Sequence, residues 1–357
     1  MGGGLMQLVA MGAQDVYLTG NPQITFFKVV YRRHTNFSKE AIKQEFNGSG
    51  NSKTCTLARN GDLVQEMYLY KAGSTALTVP DTVEVEIGGQ KIDKHYSKWL
   101  AIYDELFDNN FHLKDGIKTD FMPLRFWFNR NPGLALPLIA LQYHEVKIIV
   151  EGSNADSLLV NYLYLDTDER RRFAQVSHEY LIEQVQHTGA ESLGKPATTG
   201  TSKSITLTFN HPVKALFWTG LTHGGSTPNW KGATQATANT GVASYTAKLQ
   251  LNGHDRAAEQ GHKYYTGVQP YENGLRPCYT TADLDTHTAG MYSFCLKPGE
   301  HQPSGTCNFS RIDNARLVLN VVGEHATTTT EQSLHVFALN YNVLRIMSGM
   351  GGLAYSN

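Results

Sequence analysis

Residues Gly290 to Val322 read GMYSFCLKPGEHQPSGTCNFSRIDNARLVLNVV. Tyr292, Phe294 and Leu296 alternate with Met291, Ser293 and Cys295 as a half-buried strand would. A Pro298-Gly299 turn and Pro303 follow, and Leu317, Leu319 and Val321 resume the alternation. The first half carries a faint copy. There Leu124, Phe126 and Phe128 alternate with Arg125 and Trp127, Pro132-Gly133 and Pro137 come next, and Val146, Ile148 and Val150 alternate again. Pro132 and Pro298 are 166 residues apart, as are Pro137 and Pro303. Upstream, Val83, Val85 and Ile87 lead into Gly88, and Leu249 and Leu251 lead into Gly253, 165 residues later. Three landmarks repeated in order predict one strand plan written twice.

A chain of 357 residues has room for two such domains, each with its own core. Charged residues are 18% and aromatics 10%, with 18 Tyr and 15 Phe, which favours strands over solvent-laced helices and an all-β class. With 31 basic against 32 acidic residues, no global field draws the chain onto nucleic acid or an anionic membrane. Its apolar runs are too short to span a bilayer, and no basic segment followed by an apolar one marks a signal peptide, so synthesis in the cytosol is expected. Cys55, Cys278, Cys295 and Cys307 form no C-x-x-C pair and are expected as free thiols rather than as zinc ligands. The sequons at Asn36, Asn47 and Asn308 are then chance matches.

Residues 1–24 open with three glycines, carry an apolar patch at Leu5, Leu8 and Val9, and show no period. They are expected as an assembly arm that docks on a partner subunit or on its own domain. The first domain is placed at 25–187. Its run from Ile24 to Phe37, ITFFKVVYRRHTNF, is expected as a buried strand ending in a solvated basic turn. Ser97 begins a helix whose Trp99, Ile102, Tyr103 and Leu106 form one apolar stripe. Leu158 to Leu165 is apolar on both faces, with Tyr162 and Tyr164 alternating with Leu163 and Leu165, so it needs cover from a loop or a neighbouring subunit. Asp166, Asp168, Glu169, Arg170, Arg171 and Arg172 form the densest charge cluster. As a calcium loop it lacks the sixth-position glycine and twelfth-position Glu, which leaves a solvated turn or a subunit contact that includes Tyr162 and Tyr164. A linker is placed at 188–203, where alternation lapses, followed by a second domain at 204–347 and a glycine-rich tail at 348–357. The Gly/Ser/Thr/Ala-rich stretch between His223 and Ser244 is expected as an exposed loop.

Catalytic patterns are missing. None of the 14 histidines forms H-x-H, and H-E-x-x-H is absent. His144-Glu145 and His178-Glu179 point to opposite faces if they lie on strands. Gly194-Lys195 is followed by Pro196, which lacks the hydroxyl a phosphate loop requires. No cofactor or metal is expected. A jelly-roll carbohydrate binder or glycoside-cleaving protein is the alternative left open.

Several stretches together resemble the double jelly-roll major capsid proteins of nucleocytoplasmic large DNA viruses, the algal-virus and iridovirus group. They are GAQDVYLTGNPQITFFKVVYRR (12–33), RNGDL (59–63), GGQKIDKHYSKWL (88–100), LPLIALQYHEVKI (136–148), LDTDERRRFAQ (165–175), FNHPVKALFW (209–218), LQLNGHDR (249–256), QPSGTCNFSRIDNARL (302–317) and NYNVLRIMSGMGGLAYSN (340–357). The resemblance implies two tandem eight-stranded antiparallel jelly rolls with short helices in loops. It implies a non-enzymatic virion protein, assembled in the host cytoplasm, that forms homotrimers tiling an icosahedral capsid. Penton and minor capsid proteins are the implied partners, with an inner membrane nearby but not spanned and no direct nucleic-acid contact. The chain is short for the family, so trimmed surface loops are expected. A helix is expected after Gly253, although Ala257 and Ala258 stand where the family pattern has an aromatic.

Overall fold

The computed structural model describes residues 3–48, 50–73, 75–107, 120–194, 201–219, 244–277, 289–322 and 332–356. All but the last residue of the loop expected at 223–244 lies outside them, as does Cys278. The chain divides into Met1–Asn36 and Phe37–Asn357. The first unit holds two short helices, α1 (Gly3–Val9) and α2 (Val16–Thr19). The strand expected from Ile24 does not form there: residues 24–36 are exposed and belong to no sheet, and strand pairing starts at Phe37. Strand propensity expresses fit to a pleated, half-buried surface, and these side chains are not half-buried.

From Phe37 the first half runs through β1 (Phe37–Glu45), β2 (Ser52–Thr56), β3 (Leu63–Tyr70), β4 (Thr82–Ile87), β5 (Gln90–Tyr96) and the helix α3 (Ser97–Phe107). It continues with β6 (Phe121–Pro123), the helical turn α4 (Trp127–Arg130), β7 (Leu136–Pro137), β8 (Val146–Glu151), β9 (Ser157–Leu165) and α5 (Thr167–Gln175). The second half holds β10 (His178–Gly194), β11 (Thr201–Thr206), β12 (Pro212–Thr219), β13 (Ser244–Leu251), β14 (His254–Gly261) and α6 (Gln269–Glu272). It ends with β15 (Gly290–Ser293), β16 (Cys307–Asn308), β17 (Ala315–Val322), β18 (Gln332–Met347) and β19 (Met350–Leu353).

The sheets are β1-β9-β3-β6 with β7 added to β3, β2-β8-β4-β5, β10-β18-β12-β15 with β16 and β19 added, and β11-β17-β13-β14. With the short added strands β7, β16 and β19 set aside, both halves have the same order, 1-8-3-6 in one sheet and 2-7-4-5 in the other. The duplication inferred from proline and glycine spacing is therefore a duplication of topology, and each half is an antiparallel jelly roll. Alternation decides which face is inside. Val83, Val85, Ile87, Val146, Ile148 and Val150 fill the first core, and Ile205, Leu207, Phe209, Leu249, Leu317 and Leu319 fill the second.

Four expectations need correction. Leu124 to Phe128 is not a strand: β6 ends at Pro123, and the Asn129 carboxamide oxygen accepts the Phe126 N–H at 3.2 Å, closing a helical turn that buries three consecutive aromatics. The strand through Tyr292 is short; it ends at Ser293 and leaves Leu296 exposed. The helix does not follow Gly253 directly: Asn252 and Gly253 both adopt positive φ, 51° and 81°, and make the two-residue turn of the β13–β14 hairpin, and helical structure begins only after β14, at His262. The linker at 188–203 is the largest error, since Thr188–Gly194 continues β10, which pairs with β18 in the second roll's sheet. Register shifts between His187 and Ala190 and between Ser192 and Gly194 break the alternation and make that strand look like a loop. Strand pairing thus changes rolls between β9 and β10, and residues 178–187 pair in the second roll's sheet while Ile182 still packs in the first core.

Candidate functional site

The predicted contact cluster is a capped helix rather than a turn. Asp166 caps α5 through the Thr167 N–H at 2.8 Å, and Asp168 and Glu169 lie in the first turn, where carboxylates favour the helix dipole. Arg170 Nε reaches the buried Asp62 carboxylate at 2.9 Å, whose other oxygen accepts the Leu165 N–H at 2.9 Å. Arg170 therefore fastens α5 to the start of β3, while Asp166, Asp168, Arg171 and Arg172 remain exposed.

Tyr162 is withdrawn as a subunit contact. It is fully buried, and its hydroxyl donates to the Ala58 carbonyl at 2.7 Å, so β9 presents it to the first core. Tyr164 is partly exposed and donates to Glu40 at 3.2 Å. The outer face of β9 is covered from within the chain, by Ala135 and Phe173 around Leu63 and Leu163.

The arm concentrates the unpartnered apolar surface. Among the described residues, fourteen of the twenty-four exposed large apolar side chains lie between Leu5 and Tyr31, among them Leu5, Leu8 and Val9. Isolated apolar side chains are normal on a surface; a run of this density is not.

The junction between the rolls was not legible beforehand. The stripe on α3 does not lie on its own roll. Trp99, Ile102 and Leu106 pack on Val185, Ala215, Phe217, Met291, Phe337 and Leu339, the outer face of the second roll's larger sheet. Beside it the β5 main chain meets β10: the Asp93 carboxylate accepts the Val185 N–H at 3.0 Å, and Gln184 donates to the Ile92 carbonyl. A buried ion triad completes this side. Glu183 holds Lys214 Nζ at 2.6 Å and Arg130 Nη1, from the first roll, at 2.7 Å.

Lys214 also donates to the Glu300 carbonyl at 2.9 Å and lies over the Tyr341 ring, and Arg130 lies over Tyr103. Burial alone would raise the Glu183 pKa, but Arg130 and Lys214 outweigh it and hold the carboxyl below the usual Glu range. The one sequence signal was Lys214 itself, a lone charge in the apolar run Val213 to Trp218.

A second clamp is made by the tail, which is an ordered strand. β19 pairs with β18 and turns back onto the first roll. The Tyr143 N–H donates to the Gly349 carbonyl at 3.0 Å, His144 Nδ1 lies 3.0 Å from the Gly351 carbonyl, and Gln90 accepts the Leu353 N–H at 3.3 Å. Glycine is needed for this approach: a Cβ on Gly349 would stand 2.5 Å from the Tyr143 ring, and one on Gly351 would stand 2.6 Å from Leu141. Among the described residues no group of three or more His, Cys, Asp or Glu could hold a metal ion. The described thiols are free; Cys55 and Cys295 are buried, and burial pushes the Cys55 pKa up to about 11.

Two family models match the chain, "Major capsid protein N-terminus" over residues 25–171 and "Large eukaryotic DNA virus major capsid protein" over 169–352. They meet inside α5, where the strand pairing changes rolls. The major capsid protein of Pyramimonas orientalis virus is 50% identical with all of both chains covered, and that of Paramecium bursaria Chlorella virus 1 is 44% identical over the same full extent. The crystal structure of PBCV-1 VP54, fitted into a reconstruction of the virophage Sputnik, superposes with a TM-score of 0.73 at 41% identity, covering 93% of this chain and all of that one. With the double jelly-roll topology and full-length similarity both in place, the chain belongs to the major capsid proteins of large eukaryotic DNA viruses.

Proposed function

We propose that this protein builds the capsid lattice as a homotrimer with a pseudo-hexagonal outline. The observation that carries the proposal is the locked pair of like-folded rolls, since three chains about one axis then give six similar lobes that can tile a flat facet. Closed rotational symmetry lets each side patch meet a different patch on the next subunit. An obligate contact of this kind buries roughly 2,000 Å² or more. The exposed charges Asp166, Asp168, Arg171 and Arg172, with Glu169 and Tyr164, are the proposed subunit contacts. Light scattering of the purified protein should give a mass near three times 39.6 kDa that survives dilution. A monomer throughout the micromolar range would refute the trimer and favour a jelly-roll binding module instead.

The finer role follows the same proposal: a shell component without catalysis of its own, assembled in the host cytoplasm. It meets penton and minor capsid proteins, lies near an inner membrane and does not contact nucleic acid. No helix among the described residues is long and apolar enough to cross a membrane. The arm is the proposed assembly element because its apolar side chains are exposed while both cores form from residues beyond it. Deleting residues 1–36 is expected to leave thermal unfolding of the rolls within about 1 kcal/mol of the parent, as for surface segments outside a core, while particle formation is lost. An aggregated deletion product, or normal particles under electron microscopy, would count against this role.

A further inference from the structure

The larger sheet of the second roll carries two histidines that the capsid role does not use. His187 on β10 and His335 on β18 face each other with Nε2 and Nδ1 3.0 Å apart and rings stacked at 5.2 Å. His187 also stacks on Phe337 at 4.5 Å and touches Tyr96 at 4.6 Å. Phe337 in turn packs on Trp99, the anchor of α3. The pair therefore sits at the margin of the bed on which the first roll's helix rests.

Two neutral imidazoles share this contact well, one ring N–H donating to the other ring's lone pair. A first proton can be held between them as imidazolium donating to imidazole. A second puts N–H against N–H and two positive charges at hydrogen-bond distance. Among the described residues the surroundings offer no compensation. Among the described residues the charge acting on both rings is Lys98, on the first turn of α3, and it is positive. Tyr96 of β5 is the other titratable group in contact; Asp93 and Glu84 act on it, and Lys94 lies over its ring at 5.9 Å. Opposite His335 in the sheet stand Ala190 of β10 and Thr219 of β12, neither of them charged.

We propose that the His187–His335 pair is an acid-sensitive latch on the junction between the two rolls: neutral, it seats α3 on the second roll's sheet, and doubly protonated, it forces the rings apart and loosens that helix. Burial first, then Lys98, depresses both imidazoles to about 4. The unfolded or opened chain binds these protons near the ordinary value of about 6.5. The sign follows: the latch contributes fully above about pH 6.5, weakens as the pH falls and is lost below about 4.

Hydrogen exchange read by mass spectrometry on the full-length protein tests this. On going from about pH 7 to about pH 4.5, and after correction for the intrinsic exchange rate, opening of the peptide covering α3 should rise about tenfold or more in the parent. In the double variant His187→Gln, His335→Asn, which keeps donor and acceptor atoms but does not titrate, it should rise less than about twofold. Equal rises in both proteins, or none in the parent, would overturn the latch. If the double variant fails to fold, imidazole nitrogen shifts of the parent decide: two coupled steps well below the free histidine range support the latch, and an ordinary titration near 6.5 for both rings rejects it.

Discussion

Glu183→Gln is expected to destabilise the protein by about 3–5 kcal/mol, the usual penalty for removing one partner from a buried ion pair. The carboxylate is 5% exposed and serves two cations at once, Lys214, which is 1% exposed, and Arg130. Glutamine keeps the shape and offers one acceptor, so the loss is almost wholly one of charge, and Lys214 is left in a site with no counter-ion. Urea unfolding at neutral pH measures it, and a loss under about 1 kcal/mol would mean that water reaches the triad. The triple variant Arg130→Met, Glu183→Leu, Lys214→Met should recover most of the loss, because apolar replacements of similar volume for all three members remove the need for pairing. The pH dependence has a definite direction. Since the folded Glu183 pKa is depressed, its contribution is complete above the unfolded Glu range and disappears as the pH falls through the lower folded value.

Trp99→Ala should have a comparable effect, about 3–5 kcal/mol for a large aromatic in a closed core. Trp99 is 1% exposed and packs against Phe217 at 5.4 Å and Phe337 at 5.9 Å, both from the second roll. The damage should therefore fall on the junction rather than inside either roll. Hydrogen exchange should show faster opening at α3 and at the face of β12 and β18 while β4 and β8 stay protected. Uniform loss of protection across both rolls, or a ΔΔG below about 1.5 kcal/mol, would show that the helix is not what joins them.

Within each roll the sequence was a good guide because strand alternation is a local property. Val83, Val85 and Ile87, or Ile205, Leu207 and Phe209, each declare their buried face by spacing alone. Spacing could not announce partnership. The α3 stripe gave the helix and its apolar side correctly but not the surface it covers, since Phe217 and Phe337 lie more than a hundred residues downstream.

The boundary between halves was misplaced for a related reason. Gly189, at φ 95°, and the two register shifts interrupt the alternation of β10 without interrupting its pairing to β18. Among the proposed contact residues, Tyr162 looked like surface because a strand apolar on both faces gives no hint of which face is covered from within. Nothing short of the β9 register with β1 and β3 could separate it from Tyr164.

The C-terminal hairpin bears on how the protein is made. His144 and Gly351 are 207 residues apart, and β18 and β19 come after every strand of the first roll. The first roll has all its strands once β9 has been synthesised, and domains generally fold as units from the N-terminus during synthesis. The clasp between Gly349–Leu353 and residues Gln90, Tyr143 and His144 cannot close until residues 349–353 have been synthesised and have left the ribosome. A chain that stops before Gly349 thus carries the strands of the first roll without this clasp, and only synthesis beyond it adds the clasp to the α3 and Glu183 contacts that set the two lobes. Synthesis through Leu353 becomes a physical condition for fitting into a lattice.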